Sequence, residues 1–378
     1  MRIIQITTDS REHYKDYQRP RPFFGTAPQG LLDGFTEWPE AEIHVISCSH
    51  VPTQVPEKLA ANIWFHQPVV GNWGWGRTLF AGSIKAVRGL VREIQPDIVH
   101  GQGTERDCAM AAVLSGCPNL LTIHGNMRVH AKREGNRRAP YYKLAAALER
   151  FCLKRTDGVV AISRYTEELV KGLAPRTWFL PNAVDSRYFN VNAVPPARPQ
   201  ILFVGSICER KNPIGLIKAC EPMLRAGECT IAFAGDGDPH GAYWKEFDAL
   251  LKTLPGLELL GFLDRDTLGG EFRRTSILVL PTFEDNCPMV VLEGMAAGLA
   301  VAASRVGGVP DLITHDFDGV MFDPHNLDNM RCCLETLVRD SSTCARLGVQ
   351  GRISAQKRFH PKVIAGEHLR IYEEVLGR

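Results

Sequence analysis

The sequence predicts an α/β protein of two Rossmann-like domains, each a parallel sheet with helices on both faces, facing a central cleft. Three observations carry this expectation. From Arg2 to Ser163, short apolar runs (RIIQIT, EIHVIS, NIWFH, PDIVH, NLLTIH, GVVAIS) alternate with helical or loop stretches, and runs of that length and spacing favour buried parallel strands. From Gln200 to Asp323 a second series follows: QILFVGS, CTIAFAG, LELLGF, SILVLP, AVAAS and GVMFD. Between the two lies VNAVPPARPQ, whose prolines suit a connector. The expected division is 1–193 for the first domain and 194–360 for the second, with a final helix over 361–378.

A chain of 378 residues is long enough for two cores, and 44% hydrophobic with 23% charged residues is ordinary for a globular protein. The formal net charge of +2 makes no electrostatic case for nucleic acid. Eleven cysteines are scattered without a CxxC pair, and neither their odd number nor the adjacent Cys332 and Cys333 suggests a disulfide framework. A reducing cytoplasm is the expected compartment. The start, MRIIQITTDSREHYKDYQ, reads as a strand followed by charges rather than a signal peptide. No apolar run approaches the roughly 20 residues needed to cross a bilayer, so any membrane contact is expected to be peripheral.

In the first half, FFGTAPQG (Gly25 to Gly30) reads as a glycine loop that either lets a ligand approach the backbone or makes a plain turn. Trp73 and Trp75, in GNWGWGR, offer a flat apolar platform for an acceptor sugar or lipid, or else pack at the sheet edge. A helix is expected from Thr78 to Ile94. LLTIHGN ends a strand at His124, the edge at which parallel sheets bind ligands. From Met127 to Arg155 nine Lys or Arg stand against two Glu. Such a segment faces either an anionic membrane or acidic acceptor, or simply solvent. Asp185, in the NAVD turn, is expected to cap or turn the chain.

In the second half, ILFVGSICERKNP places Gly205 after a strand and Arg210 and Lys211 just before a helix opening near Pro213. Cations there can neutralise a departing diphosphate. The most informative stretch is PTFEDNCPMVVLEGMAAGLAVAASRVGGVPDL, residues 281–312. It reads as strand end, a polar loop with Glu284, Asp285 and Asn286, and a helix opening near Pro288. The free amides near Met289 and Val290 attract anions. Asp285 and Glu293 lie eight residues apart, so both can grip hydroxyls of one ligand. That suits a nucleotide-sugar.

At these residues the chain resembles the retaining glycosyltransferases of the GT-B fold known as family 4, or group 1. Their pattern of acid, seven residues, glutamate, small-residue helix, Gly-Gly turn and acid is met by Asp285, Glu293, Ala296 to Gly298, Gly307, Gly308 and Asp311. Asp285 and Asp311 stand where Glu is commoner, and Glu284 is a rival for the first acid. The resemblance implies that His124 contacts the transferred sugar and that Asp285 or Glu284 holds its hydroxyls. It implies further that Glu293 holds the ribose and that the base lies against backbone near Leu263. Lys211 matches the family's lysine, while Ser206 replaces its arginine, for which Arg210 can compensate. The implied reaction moves a sugar from a UDP-, GDP- or ADP-sugar to a carbohydrate or lipid-linked acceptor with retained configuration. Polysaccharide or glycolipid biosynthesis is the implied setting, and the last helix is expected to return to the first domain.

Neither HExxH nor a Cys/His cluster occurs, so neither metal nor cofactor is expected. An NAD-dependent oxidoreductase is the rival from another class, but TTDSRE follows the first strand where GxGxxG would be required. A nucleotide-sugar-binding protein without activity and a sugar-nucleotide epimerase are the other readings.

Overall fold

The computed structural model describes residues 1–71, 78–132, 139–194 and 196–378. Two units divide the chain: Met1–Ala183 together with Pro361–Arg378, and Val184–His360. The division falls ahead of the proline-rich stretch read as the connector.

The first unit holds strands β1 (Arg2–Ile6), β2 (Glu42–Ile46), β3 (Lys58–Ala60), β4 (Ile63–His66), β5 (Ile98–Gln102), β6 (Asn119–Ile123), β7 (Val159–Ala161) and β8 (Thr177–Phe179). Their order across the sheet is β3-β4-β2-β1-β5-β6-β7-β8. Every pairing is parallel except β3 with β4. Ile3 and Ile4 of β1 are fully buried, as are Ile98 and Val99 of β5. Burial on both faces explains why these strands read as apolar runs without alternation.

The second unit holds β9 (Gln200–Val204), β10 (Thr230–Ala234), β11 (Leu257–Gly261), β12 (Ile277–Leu280), β13 (Ala300–Ser304) and β14 (Val320–Phe322). They lie parallel in the order β11-β10-β9-β12-β13-β14. Ile201 pairs with both Ile231 and Ile277, and Phe203, Phe233 and Phe247 fill the layer beneath. In each sheet the connection changes direction beside one strand, β1 in the first and β9 in the second. The crevice beyond the carboxyl ends at such a point is where open α/β sheets take ligands.

Helix Pro361–Leu376 belongs to the first unit. Its Ile364, Ala365, Ile371 and Tyr372 join Leu31, Leu32 and Phe35 of helix Thr26–Phe35 in one core, and Trp38 Nε1 donates to the Lys362 carbonyl at 3.2 Å.

The glycine-loop reading of residues 25–30 is corrected. Gly25 is the N-cap of helix Thr26–Phe35, which runs through Gly30, and Gly30 is buried there against the Ala183 backbone. Helix Ala81–Ile94 starts a turn later than expected. Trp73 and Trp75 lie outside the described residues. All eleven cysteines are free, and no helix among the described residues is long and apolar enough to cross a membrane.

Candidate active site

In the second unit, residues from three strand ends converge. After β9 the chain passes Gly205, which has φ of 152°, and a 3-10 turn, Glu209–Lys211, precedes helix Pro213–Arg225. The Lys211 stem lies beside Gly205, and its Nζ donates to Asp285 Oδ2 at 2.6 Å. Both side chains are largely shielded, with 15% and 16% exposure, so the pair is held in place rather than solvated. Arg210 donates from its guanidinium to the Glu284 carbonyl at 2.9 Å, while its own carbonyl accepts from Phe283 N and Thr282 Oγ1. The two loops are thereby stitched backbone to backbone.

The third strand end supplies Gly307 and Gly308. Gly308 N donates to the Asp285 carbonyl at 3.1 Å. A Cβ on Gly307, whose φ is 53°, would overlap that same carbonyl, so only glycine permits the approach. Asp285 is thus tied by side chain to Lys211 and by backbone to the Gly-Gly turn, while Asn286 N donates to Asp285 Oδ1 at 3.0 Å. Directly after it, helix Met289–Ala297 begins at Pro288 without a side-chain cap. The first-turn amides of Met289 and Val290 carry the helix's partial positive charge.

Glu293 is on this helix but has a different set of neighbours. It is only 5% exposed, and burial, with a smaller push from Asp185, raises its carboxyl to about 7 against a pull from Arg265. Arg265 starts the helix that follows Leu263, so the expected base and ribose positions share one neighbourhood. Asp185 caps the 3-10 turn Ser186–Asn190 and takes hydrogen bonds from Arg187 N and Nε at 3.0 and 2.8 Å. Tyr188, in that turn, is fully buried, and its hydroxyl has no partner among the described residues.

In the first unit His124 follows β6 directly. Burial, helped by His368, lowers its imidazole to about 4, so the ring is neutral at ordinary pH. Its Nε2 lies 3.0 Å from Gln102 Oε1. Beside it stands Glu105, which the sequence reading passed over. Its two carboxylate oxygens occupy the space that Cβ atoms on Gly103 and Gly125 would fill, and burial raises its carboxyl.

Two family models match the chain: "Glycosyl transferases group 1" over residues 198–340 and "Glycosyltransferase Family 4" over residues 37–188. This chain belongs to the group 1, family 4 type of glycosyltransferases. Among curated relatives of this type is the sulfoquinovosyl transferase SQD2 of Arabidopsis thaliana, 32% identical over 165 residues, which are 43% of this chain and 31% of that protein. The chain spans less than half the length of the first curated relatives it matches. Sucrose-phosphate synthase from Thermosynechococcus elongatus superposes with a TM-score of 0.77 at 17% identity, covering 100% of this chain and 99% of that one. Anabaena HepE in complex with UDP does so at 0.69 and 16% identity, covering 99% and 100%. The fold of this chain is GT-B.

The structure brings Gly205, Arg210, Lys211, Glu284, Asp285 and Asn286 together at the carboxyl ends of β9 and β12, with Met289 and Val290 next along the chain. It sets Glu293 beside Arg265 and Asp185. Gly25 is placed at a helix start in the first unit, where a Cβ would meet Pro28 of its own helix. Glu105 had a signal that could have found it: glycines two residues before it and directly after His124, both near strand ends.

Proposed function

We propose that this chain transfers a sugar from a nucleotide-sugar to an acceptor hydroxyl with retention of anomeric configuration, without a bound metal. The observation that carries the proposal is the Lys211–Asp285 pair, locked between the ends of β9 and β12 and followed at once by the uncapped helix start at Met289. Departure of a nucleoside diphosphate needs fixed positive charge that does not have to reorganise. Lys211, Arg210 and the first-turn amides supply it, and Asp285 both orients the lysine and accepts sugar hydroxyls. A ribose diol donating to Glu293 stabilises its charged form. His124 is assigned a contact with the transferred sugar on the family resemblance. The leaving phosphate takes the acceptor's proton, so no side chain need act as a covalent nucleophile.

The UDP-bound relative supports a uridine donor as the first to try. The exposed Tyr141 and Leu144 of helix Ala139–Leu153, among the basic residues of 127–155, make peripheral contact with an anionic cytoplasmic leaflet part of the proposal. The direct test is a panel of UDP-, GDP- and ADP-sugars with mono- and oligosaccharide and lipid-linked acceptors, with product anomers read by NMR. Donor conversion without an acceptor, or nucleotide binding with no transfer from any donor, would replace transferase by epimerase or binding protein.

A further inference from the structure

The first unit carries a chain of buried side-chain hydrogen bonds that ends on His124. Its direction can be read from the inventory of donors and acceptors. Gln5 Nε2 donates to Tyr372 Oη at 2.7 Å. Tyr372 Oη lies 2.7 Å from His100 Nδ1, and Gln5 Nε2 and Gln102 Nε2 both lie 3.4 Å from that nitrogen. Two amide donors converge on Nδ1, so it bears the lone pair and the tyrosine hydroxyl donates to it. His100 Nε2 then bears the proton and donates to Thr122 Oγ1 at 2.8 Å.

The other arm is equally directional. Gln102 Nε2 donates to Gln5 Oε1 at 3.0 Å, which turns Gln102 Oε1 toward His124 Nε2. A carbonyl oxygen only accepts, so His124 carries its proton on Nε2 and its lone pair on Nδ1. Gln5, His100 and Tyr372 are at most 1% exposed, and Gln102 is 8% exposed. The cavity bounded by Gln102, Thr122, His124 and His368 amounts to about 10 Å³, the room of a single water. Bulk solvent therefore does not compete with the chain, and with the Gln5 and Gln102 amides oriented as they are, reversing any one link would leave two donors or two acceptors facing each other.

We propose that Tyr372, Gln5, His100 and Gln102 are positioning residues: their one-way hydrogen-bond chain sets the Nε2–H tautomer and ring orientation of His124. Tyr372 belongs to helix Pro361–Leu376, so the last helix of the chain governs a residue at the end of β6. A contact between His124 and the sugar rests on the proposed transferase reading, whereas the tautomer does not.

The test uses the full chain labelled with ¹⁵N-histidine. Two-bond ¹H–¹⁵N correlations distinguish the tautomers, with His124 assigned through His124→Gln. Wild-type protein at neutral pH is expected to show a single Nε2–H species for His124. Gln102→Met, which keeps the length and removes the acceptor, is expected to give a mixture of tautomers. Tyr372→Phe, which keeps the ring and removes the hydroxyl, is expected to change the His100 signals and broaden or shift those of His124. If transfer is found, Gln102→Met should lower kcat at least tenfold with donor KM changed less than about twofold, since Gln102 acts by orienting the His124 ring. An Nδ1–H species in the wild type, or a His124 spectrum unchanged in both variants, overturns the proposal. Absence of transfer with every donor, alongside the expected spectra, would fail the function and leave the positioning chain standing.

Discussion

Glu293→Gln should make the protein more stable at alkaline pH. The wild-type carboxyl sits at about 7 because of burial, against an ordinary value of 4.5. Between those two pH values the folded chain holds a proton that the unfolded chain has released, so stability falls as pH rises through the window and stays low above it. Each unit of displacement corresponds to about 1.4 kcal/mol, which puts the full effect at about 3 kcal/mol. Glutamine keeps the shape and cannot ionise. In urea titrations of nucleotide-free protein at about pH 5 and about pH 8, the wild type should lose about 2–3 kcal/mol relative to the variant. The melting temperatures should diverge by roughly 5–10 °C across the same range. Parallel stability curves for the two proteins would show that Glu293 does not carry its proton in the folded state.

The same displacement predicts that nucleotide affinity rises roughly tenfold per pH unit below about 7 and flattens above, with a proton released on binding, because ribose hydroxyls donate to the charged carboxylate; calorimetry in two buffers of different ionisation heat reads that proton directly. Lys211→Ala and Asp285→Asn should each lower transfer at least tenfold, equivalent to about 1.4 kcal/mol. Because the two side chains act as one pair, the double variant should lose little more than the worse single one, whereas Glu284→Ala, which keeps the carbonyl that receives Arg210, should stay within a few-fold of wild type. Arg11→Ala should destabilise the protein by about 3–5 kcal/mol, since it strands the fully buried Asp9 carboxylate and removes donors to the Arg19 and Gln54 carbonyls; a thermal melt within a degree of wild type would contradict this. Sedimentation with anionic vesicles should carry the protein down at low salt and release it at high salt, and no binding at low salt would remove the membrane from the proposal.

The strand framework was legible because parallel strands buried on both faces leave uninterrupted apolar runs. β3 and β8 escaped notice for the opposite reason: each is a three-residue strand at a sheet edge, exposed to half-buried in Lys58–Ala60 and half-buried throughout in Thr177–Phe179, too short to stand out as a buried run. Helix Thr26–Phe35 was hidden by its composition, since two glycines and a proline within it read locally as a loop. At the candidate site, the residue types in 205–211 and 284–293 could be read from spacing. The bond joining them could not, because Lys211 and Asp285 are 74 positions apart and meet only when β9 and β12 pair. The chain leading to His124 was still less accessible. Gln5 and Tyr372 are separated by 367 positions, and nothing in the vicinity of either announces the other.

The membership of residues 361–378 in the first unit also bears on how the chain is made. Synthesis proceeds from the amino end, so the groove of Leu31, Leu32 and Phe35 emerges from the ribosome without the helix that fills it. All of residues 184–360 must be translated first, a delay of roughly 10–35 s at about 5–20 residues per second. During that interval the first unit waits with an oily furrow open and an incomplete interior, and a premature stop ahead of Pro361 would leave it so permanently.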